Sequence, residues 1–248
     1  MEEQVLALPI IGPIWEMIDG AYYQRADFLL EGLKITLLVG ISALPLAILC
    51  GLLGSWAKLS HSAVARVIGG TYTTIVRGVP ELLLIILVYY GITQGLQDIL
   101  MHFTGEDIRV NLNPFVTGTL TLGLIYGAFM TETLRGAFQS LDKGQVEAAR
   151  AIGMSRKKAF FRVVLPQVWR YALPGIGNNW MVLIKATALM SVVQLDELMR
   201  MTDVASRAVK KPFLFFMTAA FIFLVITIVS IQVQRKAEAW ANRGVRTA

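Results

Sequence analysis

The sequence predicts an all-α protein that crosses a membrane five times. Hydrophobic residues make up 55% of its 248 positions, and charged residues make up only 16%. Soluble domains carry about 25% charged residues, so this composition indicates a chain that is partly surrounded by lipid. Five apolar runs each approach the roughly 20 residues that a helix needs to cross the hydrocarbon core. Together, these observations place the chain among polytopic membrane proteins.

Each predicted span is an apolar run between polar segments. The spans cover residues 33–56, 71–91, 115–133, 173–195 and 213–233. The second span is interrupted by Arg77, Gly78, Val79 and Pro80, and proline disturbs regular helix hydrogen bonding. The predicted organisation is an external or interfacial segment at 1–27, a membrane domain at 28–235 and a tail at 236–248. No cleavable signal peptide is predicted, because the chain begins Met-Glu-Glu and lacks a basic start.

Loop charges predict the orientation of the chain. Basic residues concentrate after the first span, between the third and fourth spans, and after the fifth span. In a five-span topology these three segments lie on one side of the membrane. The opposite side holds mainly acids, among them Glu2, Glu3, Asp98 and Glu106. Because basic loops stay in the cytoplasm, we expect a periplasmic N-terminus and a cytoplasmic C-terminus.

The most informative segment is the basic stretch 143–166, KGQVEAARAIGMSRKKAFFRVVLP. Its first half is rich in alanine and other helix formers. Gly153 fits a helix C-terminus, where only glycine takes a positive φ without steric cost. Ser155 is a typical N-cap, and Pro166 is expected to end the second helix. The pattern therefore predicts two short helices around a tight turn.

Taken alone, this segment also fits a helix-turn-helix that reads DNA. Apolar runs of membrane-spanning length lie on both sides of it, however, so it is a loop between two spans. A DNA-binding regulator would normally carry its reading helix in a free domain. We therefore expect no nucleic-acid partner.

The segment resembles the EAA loop of ATP-binding-cassette importer permeases. The residues that carry this resemblance are Glu147, Ala148, Ala149, Gly153, Leu165 and Pro166. Further motifs look like the polar-amino-acid branch of these permeases and its Q-type subunits for basic amino acids. They are RGVPELL at 77–83, VYYG at 88–91, GAFMTETLRGA at 127–137, YALPGIGNNW at 171–180 and IKATAL at 184–189.

The resemblance implies the fold of a type I importer and a position in the bacterial inner membrane. It also implies a complex with two ATPase subunits, a second permease that is identical or homologous, and a periplasmic or lipid-anchored binding protein. In such a complex the EAA loop docks on the ATPase, and Arg156 lies beside its core motif. ATP and magnesium would be bound by the ATPase partners, so this chain is expected to bind no cofactor and to catalyse no reaction.

Polar residues in or near the spans are candidates for a substrate path. An isolated charge at the bilayer centre costs several kcal/mol, so such residues pair or face protein and water. A path for a cationic amino acid would need acids and amides, whereas the same groups could equally fix helix packing. Both interpretations stay open for Arg77, Glu81, Glu132, Asn178, Asn179, Lys185 and Thr187.

The sequence gives little evidence for nucleotide binding, metal binding or a disulfide. There is no phosphate-binding Gly-x-x-x-x-Gly-Lys motif, and His61 and His102 fall in predicted loops without metal-ligand spacing. Cys50, the only cysteine, allows no disulfide within the chain. A secondary transporter or channel is the alternative function, although no inverted repeat is evident.

Overall fold

The computed structural model describes residues 25–106, 109–110 and 112–243, apart from the side chain of residue 26. The first half of the chain forms α1 Ala26–Leu59, α2 Ala63–Gly78, α3 Glu81–Thr104 and α4 Pro114–Gln139. The second half forms α5 Lys143–Ala151, α6 Arg156–Ala159, a π-turn Phe160–Val164, α7 Leu165–Ala186, a 3₁₀ turn Thr187–Val193, α8 Leu198–Val209 and α9 Pro212–Ala241. The interfacial segment predicted before residue 25 and the last residues of the predicted tail lie outside the described residues.

The prediction of five membrane-spanning helices is confirmed. Five described helices are long and apolar enough to cross a membrane: Asp27–Leu59, Glu81–Thr104, Pro114–Gln139, Arg156–Val193 and Pro212–Ala241. The second of them begins ten residues later than predicted, because the chain breaks before it. Val79 is extended, with φ −101° and ψ 138°, as expected for a residue before proline. The predicted span 71–91 therefore joined the end of α2 to the start of α3.

The core of the molecule is the packing of α1 against α4. An added Cβ at Gly123 would lie 2.4 Å from the side chain of Leu46, and one at Gly127 would lie 2.5 Å from that of Cys50. Gly54 on α1 approaches the Thr131 hydroxyl on α4 in the same way. Small residues four apart let membrane helices approach closely. The Gly123 and Gly127 pair therefore lets the first and third spans, α1 and α4, pack closely as one unit.

Polar contacts attach the last span, α9, to the fourth. The Trp180 indole N–H donates to Ser230 Oγ at 2.9 Å, and the Arg170 guanidinium donates to the Ala241 carbonyl at 2.7 Å. Gln234 occupies the space left by Gly177, where an added Cβ would lie 2.3 Å from the glutamine side chain. These contacts follow α7 over three turns and hold α9 beside the helix that continues from the loop 143–166.

Candidate functional site

The loop 143–166 contains the predicted turn between two short helices. α5 begins after Asp142, whose carboxylate accepts a backbone N–H of the first turn at 2.8 Å. Gly153 follows the helix with φ +80°, and its N–H donates to the Arg150 carbonyl at 2.9 Å. Ser155 Oγ then accepts a backbone N–H at 3.4 Å and caps α6. The caps expected at Gly153 and Ser155 are therefore confirmed.

Most residues predicted for ATPase coupling lie on the surface of this loop. Ala149 is buried, whereas Glu147, Ala148, Gly153, Arg156, Leu165 and Pro166 are exposed. Two large apolar side chains beside them also face outward, Ile152 at 74% exposure and Phe161 at 64%. Contiguous exposed apolar groups with a polar rim mark protein-binding surfaces. The loop can therefore dock against another protein without rearranging its own core.

The prediction that Pro166 ends the second helix is wrong. The chain stays helical from Arg156 to Val193. It does so through the π-turn, where the Leu165 N–H donates to the Phe160 carbonyl five residues back. Pro166 then falls in the first turn of α7, where a missing N–H is tolerated. The loop is consequently joined to the fourth span by one continuous helical segment.

Glu132 lies in an ion-pair network between three helices. Its carboxylate pairs with the Lys58 ammonium at the end of α1 and with the Arg135 guanidinium at 2.8 Å. Lys58 also donates to the Thr73 hydroxyl on α2 at 2.9 Å. All the carboxylate's close partners are cations of this chain, so Glu132 holds α1, α2 and α4 together. This arrangement favours the packing interpretation for Glu132.

Arg77 and Glu81 lie on the two sides of the helix break, beside α4. The buried Tyr126 hydroxyl donates to the Glu81 carboxylate at 3.1 and 3.3 Å. The Arg77 guanidinium lies over the Phe129 ring, 5.4 Å from its centre. Within the described part of the chain, no ion pair neutralises either charge. The break therefore presents one cation and one anion that other groups can still bind.

The remaining path candidates divide between the two interpretations. Asn179 is buried and donates to the Thr133 hydroxyl on α4 at 3.0 Å, a bond that fixes helix packing. Thr187 is buried and donates to the Ile184 carbonyl at 2.7 Å. Asn178 and Lys185 are exposed on the outer face of α7. These last two, with Arg77 and the partly exposed Glu81, can reach a solute or another chain.

The described polar residues do not form a metal-binding site. Within the described segments, no three His, Cys, Asp or Glu side chains come close enough to hold an ion. The charged groups in and near the spans are instead single carboxylates and cations that bind hydroxyls, rings or each other. Such an arrangement can bind and orient a charged solute, or fix helices, through hydrogen bonds and ion pairs.

The family is settled by comparison with known proteins. Residues 43–238 match the family model described as "Binding-protein-dependent transport system inner membrane component". The chain belongs to this family. It is accordingly a multi-pass protein of the inner membrane with the fold of an importer permease. The EAA loop and the helix break described above are thus features of a permease.

Individual relatives match the permease over nearly its whole length. It is 42% identical to the histidine/lysine/arginine/ornithine transport system permease protein HisQ of Salmonella typhimurium over 226 residues, which cover 91% of this chain and 98% of that protein. It is 42% identical to the octopine transport system permease protein OccQ of Rhizobium radiobacter over 218 residues, covering 88% and 92%. A solved amino acid ABC transporter with histidines superposes with a TM-score of 0.75 at 28% identity, covering 88% and 96%.

Sequence reasoning missed Glu197, the most completely buried acid among the residues that the structure describes. It has no solvent exposure and caps α8 by accepting the backbone N–H groups of Met199 at 2.9 Å and Arg200 at 2.8 Å. Burial raises the pKa of its carboxyl group to about 7, against the lowering effect of these hydrogen bonds and of Thr36. Its position directly before the helical pattern of α8 was visible in the sequence, but glutamate is not among the preferred N-cap residues, so residue type did not indicate the cap.

Tyr126 was also missed, although it is the side chain that holds Glu81. Its ring is buried in the main hydrophobic core, and its hydroxyl points to the helix break. Buried tyrosines usually have a hydrogen-bond partner. The sequence shows a tyrosine between two glycines and apolar residues. It does not show that the hydrogen-bond partner of this tyrosine is an acid 45 positions away.

Proposed function

We propose that this permease is the membrane subunit of an ATP-driven importer for basic amino acids. The histidine/lysine/arginine/ornithine and octopine permeases, each 42% identical over about nine-tenths of the chain, support this substrate class. The acidic Glu81 at the helix break is consistent with a cationic substrate, because it lacks a cation partner within the described residues. The chain itself performs no covalent chemistry, and ATP with magnesium is bound by the ATPase partners.

The exposed EAA loop is the observation that carries the proposal. Its turn and caps are built within the chain, yet most of its motif residues face outward. A preformed surface of small, acidic and apolar groups has the anatomy of a protein interface. We infer that it docks on an ATPase subunit. The complete assembly would hold two ATPase subunits, a second permease and a substrate-binding protein on the other side of the membrane.

Coupling would use the continuous helix that follows the loop. A displacement of the loop by the ATPase is passed directly to α7, because Arg156–Val193 is helical throughout. α7 in turn contacts α4 through Asn179 and α9 through Trp180. Alternating access requires two global states that bind the ligand differently. Movement of α7 against the closely packed unit of α1 and α4 is the simplest source of those states.

Reversal of the loop's acidic charge tests this function. We expect Glu147→Arg to insert normally, to lose the ATPase subunit during mild-detergent purification, and to lose ATP-dependent uptake of arginine in vesicles. Glu106→Arg, an exposed acid in the loop after α3, is the matched control and should retain both. Unchanged ATPase association and uptake in Glu147→Arg would refute the docking surface.

The same vesicles separate this proposal from a secondary transporter or channel. The permease reconstituted with its binding protein but without an ATPase should not accumulate arginine. Accumulation driven by an ion gradient alone would establish the alternative function. Accumulation only with the ATPase and ATP would exclude it.

The proposed orientation puts the EAA loop in the cytoplasm. Single cysteines at Lys157 and Glu106, both exposed, in a Cys50→Ala background should react with an impermeant maleimide from opposite sides. Position 106 should react in intact cells, and position 157 only after lysis. Equal reaction at both positions in intact cells would contradict the orientation.

A further inference from the structure

A surface groove lies at the end of α1 that faces the EAA loop. Its walls are Leu52, Trp56 and Leu59 of α1, with Phe138 of α4 and Phe160 of the π-turn. The link between α1 and α2 closes it at one end, through Ser60 and His61. The groove has a volume of about 520 Å³. It is therefore an apolar trough that runs from the first span to the EAA loop.

The trough continues an apolar stripe along the outer face of α1. Ile41, Leu49, Leu52, Trp56 and Leu59 are all exposed and recur at helical spacing. The stripe carries no charged side chain. Spans surrounded by lipid show such faces, whereas polar groups in spans turn toward protein or water. The groove accordingly opens toward acyl chains rather than toward the polar helix break.

A cation lies at the closed end of the trough. The Arg66 guanidinium donates to the carbonyls of Ser60 at 3.0 Å and His61 at 2.8 Å. These partners are neutral, and within the described segments no carboxylate pairs with Arg66. The N-terminus of α2 follows at Ala63 and adds its positive helix dipole. Lys58 nearby differs, because Glu132 already neutralises it.

We propose that this groove binds an anionic phospholipid. An acyl chain would lie in the trough against Trp56 and Phe160, and the phosphate would pair with Arg66 at its end. The apolar walls and the guanidinium of Arg66, which no carboxylate pairs with in the described segments, match the two halves of that ligand. Because Phe160 belongs to the π-turn, the bound lipid would contact the helix that joins the EAA loop to the fourth span. The lipid class of the surrounding leaflet would thereby affect coupling.

Tryptophan quenching by brominated lipids tests the groove directly. The full chain is reconstituted in phosphatidylcholine discs that contain a minor fraction of brominated phosphatidylglycerol or of brominated phosphatidylcholine. The Trp56 signal is the difference between the wild type and Trp56→Phe. We expect phosphatidylglycerol to be enriched at Trp56 about fivefold over phosphatidylcholine, the effect of one basic side chain at an anionic surface.

Charge variants identify the headgroup contact. Arg66→Gln should remove the preference at Trp56, and Arg66→Lys should keep most of it, while Arg235→Gln on α9 should leave it unchanged. Equal quenching by both lipids in the wild type, or a preference that survives Arg66→Gln, would overturn the proposal. Absence of quenching at Trp56 by either lipid would also overturn it and would assign the groove to a protein partner.

Discussion

The EAA loop and the polar groups between the spans differ in exposure and in where their bonding partners lie. The loop keeps Glu147, Arg156 and Ile152 exposed and fixes them with local bonds, a glycine turn and a serine cap. Between the spans, Glu132 and Asn179 have partners that lie on other helices. The loop therefore leaves its side chains free to bind another protein, whereas the polar groups between the spans are already bonded to other helices of the chain.

This difference separates two kinds of functional residue. A loop residue can be replaced with little effect on folding but a large effect on assembly. A buried polar residue holds helices, so its loss costs stability whether or not it ever touches a solute. Glu81 has both properties. The Tyr126 hydroxyl in the core donates to its carboxylate, and the side chain is still partly exposed. The following experiments test how sharply these regions differ.

The largest effect is expected at the ion pair of Lys58 and Glu132. Glu132→Leu leaves two cations without their carboxylate, and we expect it to lower the unfolding free energy by about 3 kcal/mol. The double variant Lys58→Met with Glu132→Leu should recover a large part of this loss. Denaturant unfolding of the purified chain in detergent gives both values.

The exposed pair of Asp203 and Arg207 on α8 provides the control. Its side chains are 40% and 79% exposed, and such pairs contribute at most about 1 kcal/mol. Asp203→Asn should therefore change stability far less than Glu132→Leu. Equal losses would show that the network at Glu132 is no more than a surface ion pair.

Glu197 should make stability depend on pH. The pKa of its carboxyl is raised from 4.5 to about 7 by burial, so between these values the folded chain holds a proton that the unfolded chain has lost. The contribution of Glu197 to stability is therefore greatest below about pH 4.5, falls as the pH rises to about 7, and then levels off. The total change is about 3 kcal/mol.

Glu197→Gln should flatten this slope and keep one of the two cap hydrogen bonds of α8, because an amide has a single acceptor oxygen. The measurement is the unfolding midpoint across the pH range, with Glu31→Gln on the exposed face of α1 as the control. A slope in Glu197→Gln equal to that of the wild type would contradict the buried, proton-binding carboxyl.

A smaller effect is expected at the turn of the EAA loop. Gly153 has φ +80°, and an alanine there costs about 1–2 kcal/mol. Gly136→Ala is the matched control, because that helical glycine has open space around it and a normal φ. Hydrogen exchange should show faster opening of α5 in Gly153→Ala only, together with weaker ATPase co-purification. Equal exchange in the two variants would mean that the turn does not order the loop.

The smallest expected effect concerns Glu81. Glu81→Gln keeps the hydrogen bond from Tyr126 but removes the charge, so the fold should be unaffected. We expect the arginine concentration for half-maximal ATPase stimulation to rise about fivefold, the equivalent of about 1 kcal/mol. The control is a neutral amino acid, if one stimulates the complex, since its dependence should hardly change. An unchanged arginine dependence would place Glu81 among the packing residues.

Local chemistry made much of this molecule predictable. The number of spans follows from apolar run lengths, and the turn at Gly153 and the cap at Ser155 follow from residue type and spacing. The EAA motif is contiguous in sequence, so it also pointed to the family. Pro166 was misjudged because a π-turn changes hydrogen-bond register, and residue type alone does not reveal that change.

The remaining site residues depend on distant partners. Lys58 was interpreted as a loop charge. The fold places it against Glu132, an acid 74 positions away in the sequence. The interruption at residues 77–80 was visible in the sequence, but an apolar window does not show that one extended residue at Val79 divides the predicted span into α2 and α3. Arg77 and Glu81 are four positions apart in the sequence, which does not show that each binds a different aromatic residue of α4.

The π-turn at Phe160–Val164 determines which positions between the EAA loop and the fourth span can be lost. A regular helix turns by about 100° per residue. A deletion in the α-helical part of this segment would therefore turn the EAA loop by more than a quarter circle relative to the face of α7 that carries Asn179. Within the π-turn, the hydrogen bond from the Leu165 N–H to the Phe160 carbonyl holds one extra residue as a local bulge. Deletion of one residue there would leave a regular helix and nearly the same alignment of the loop and the span.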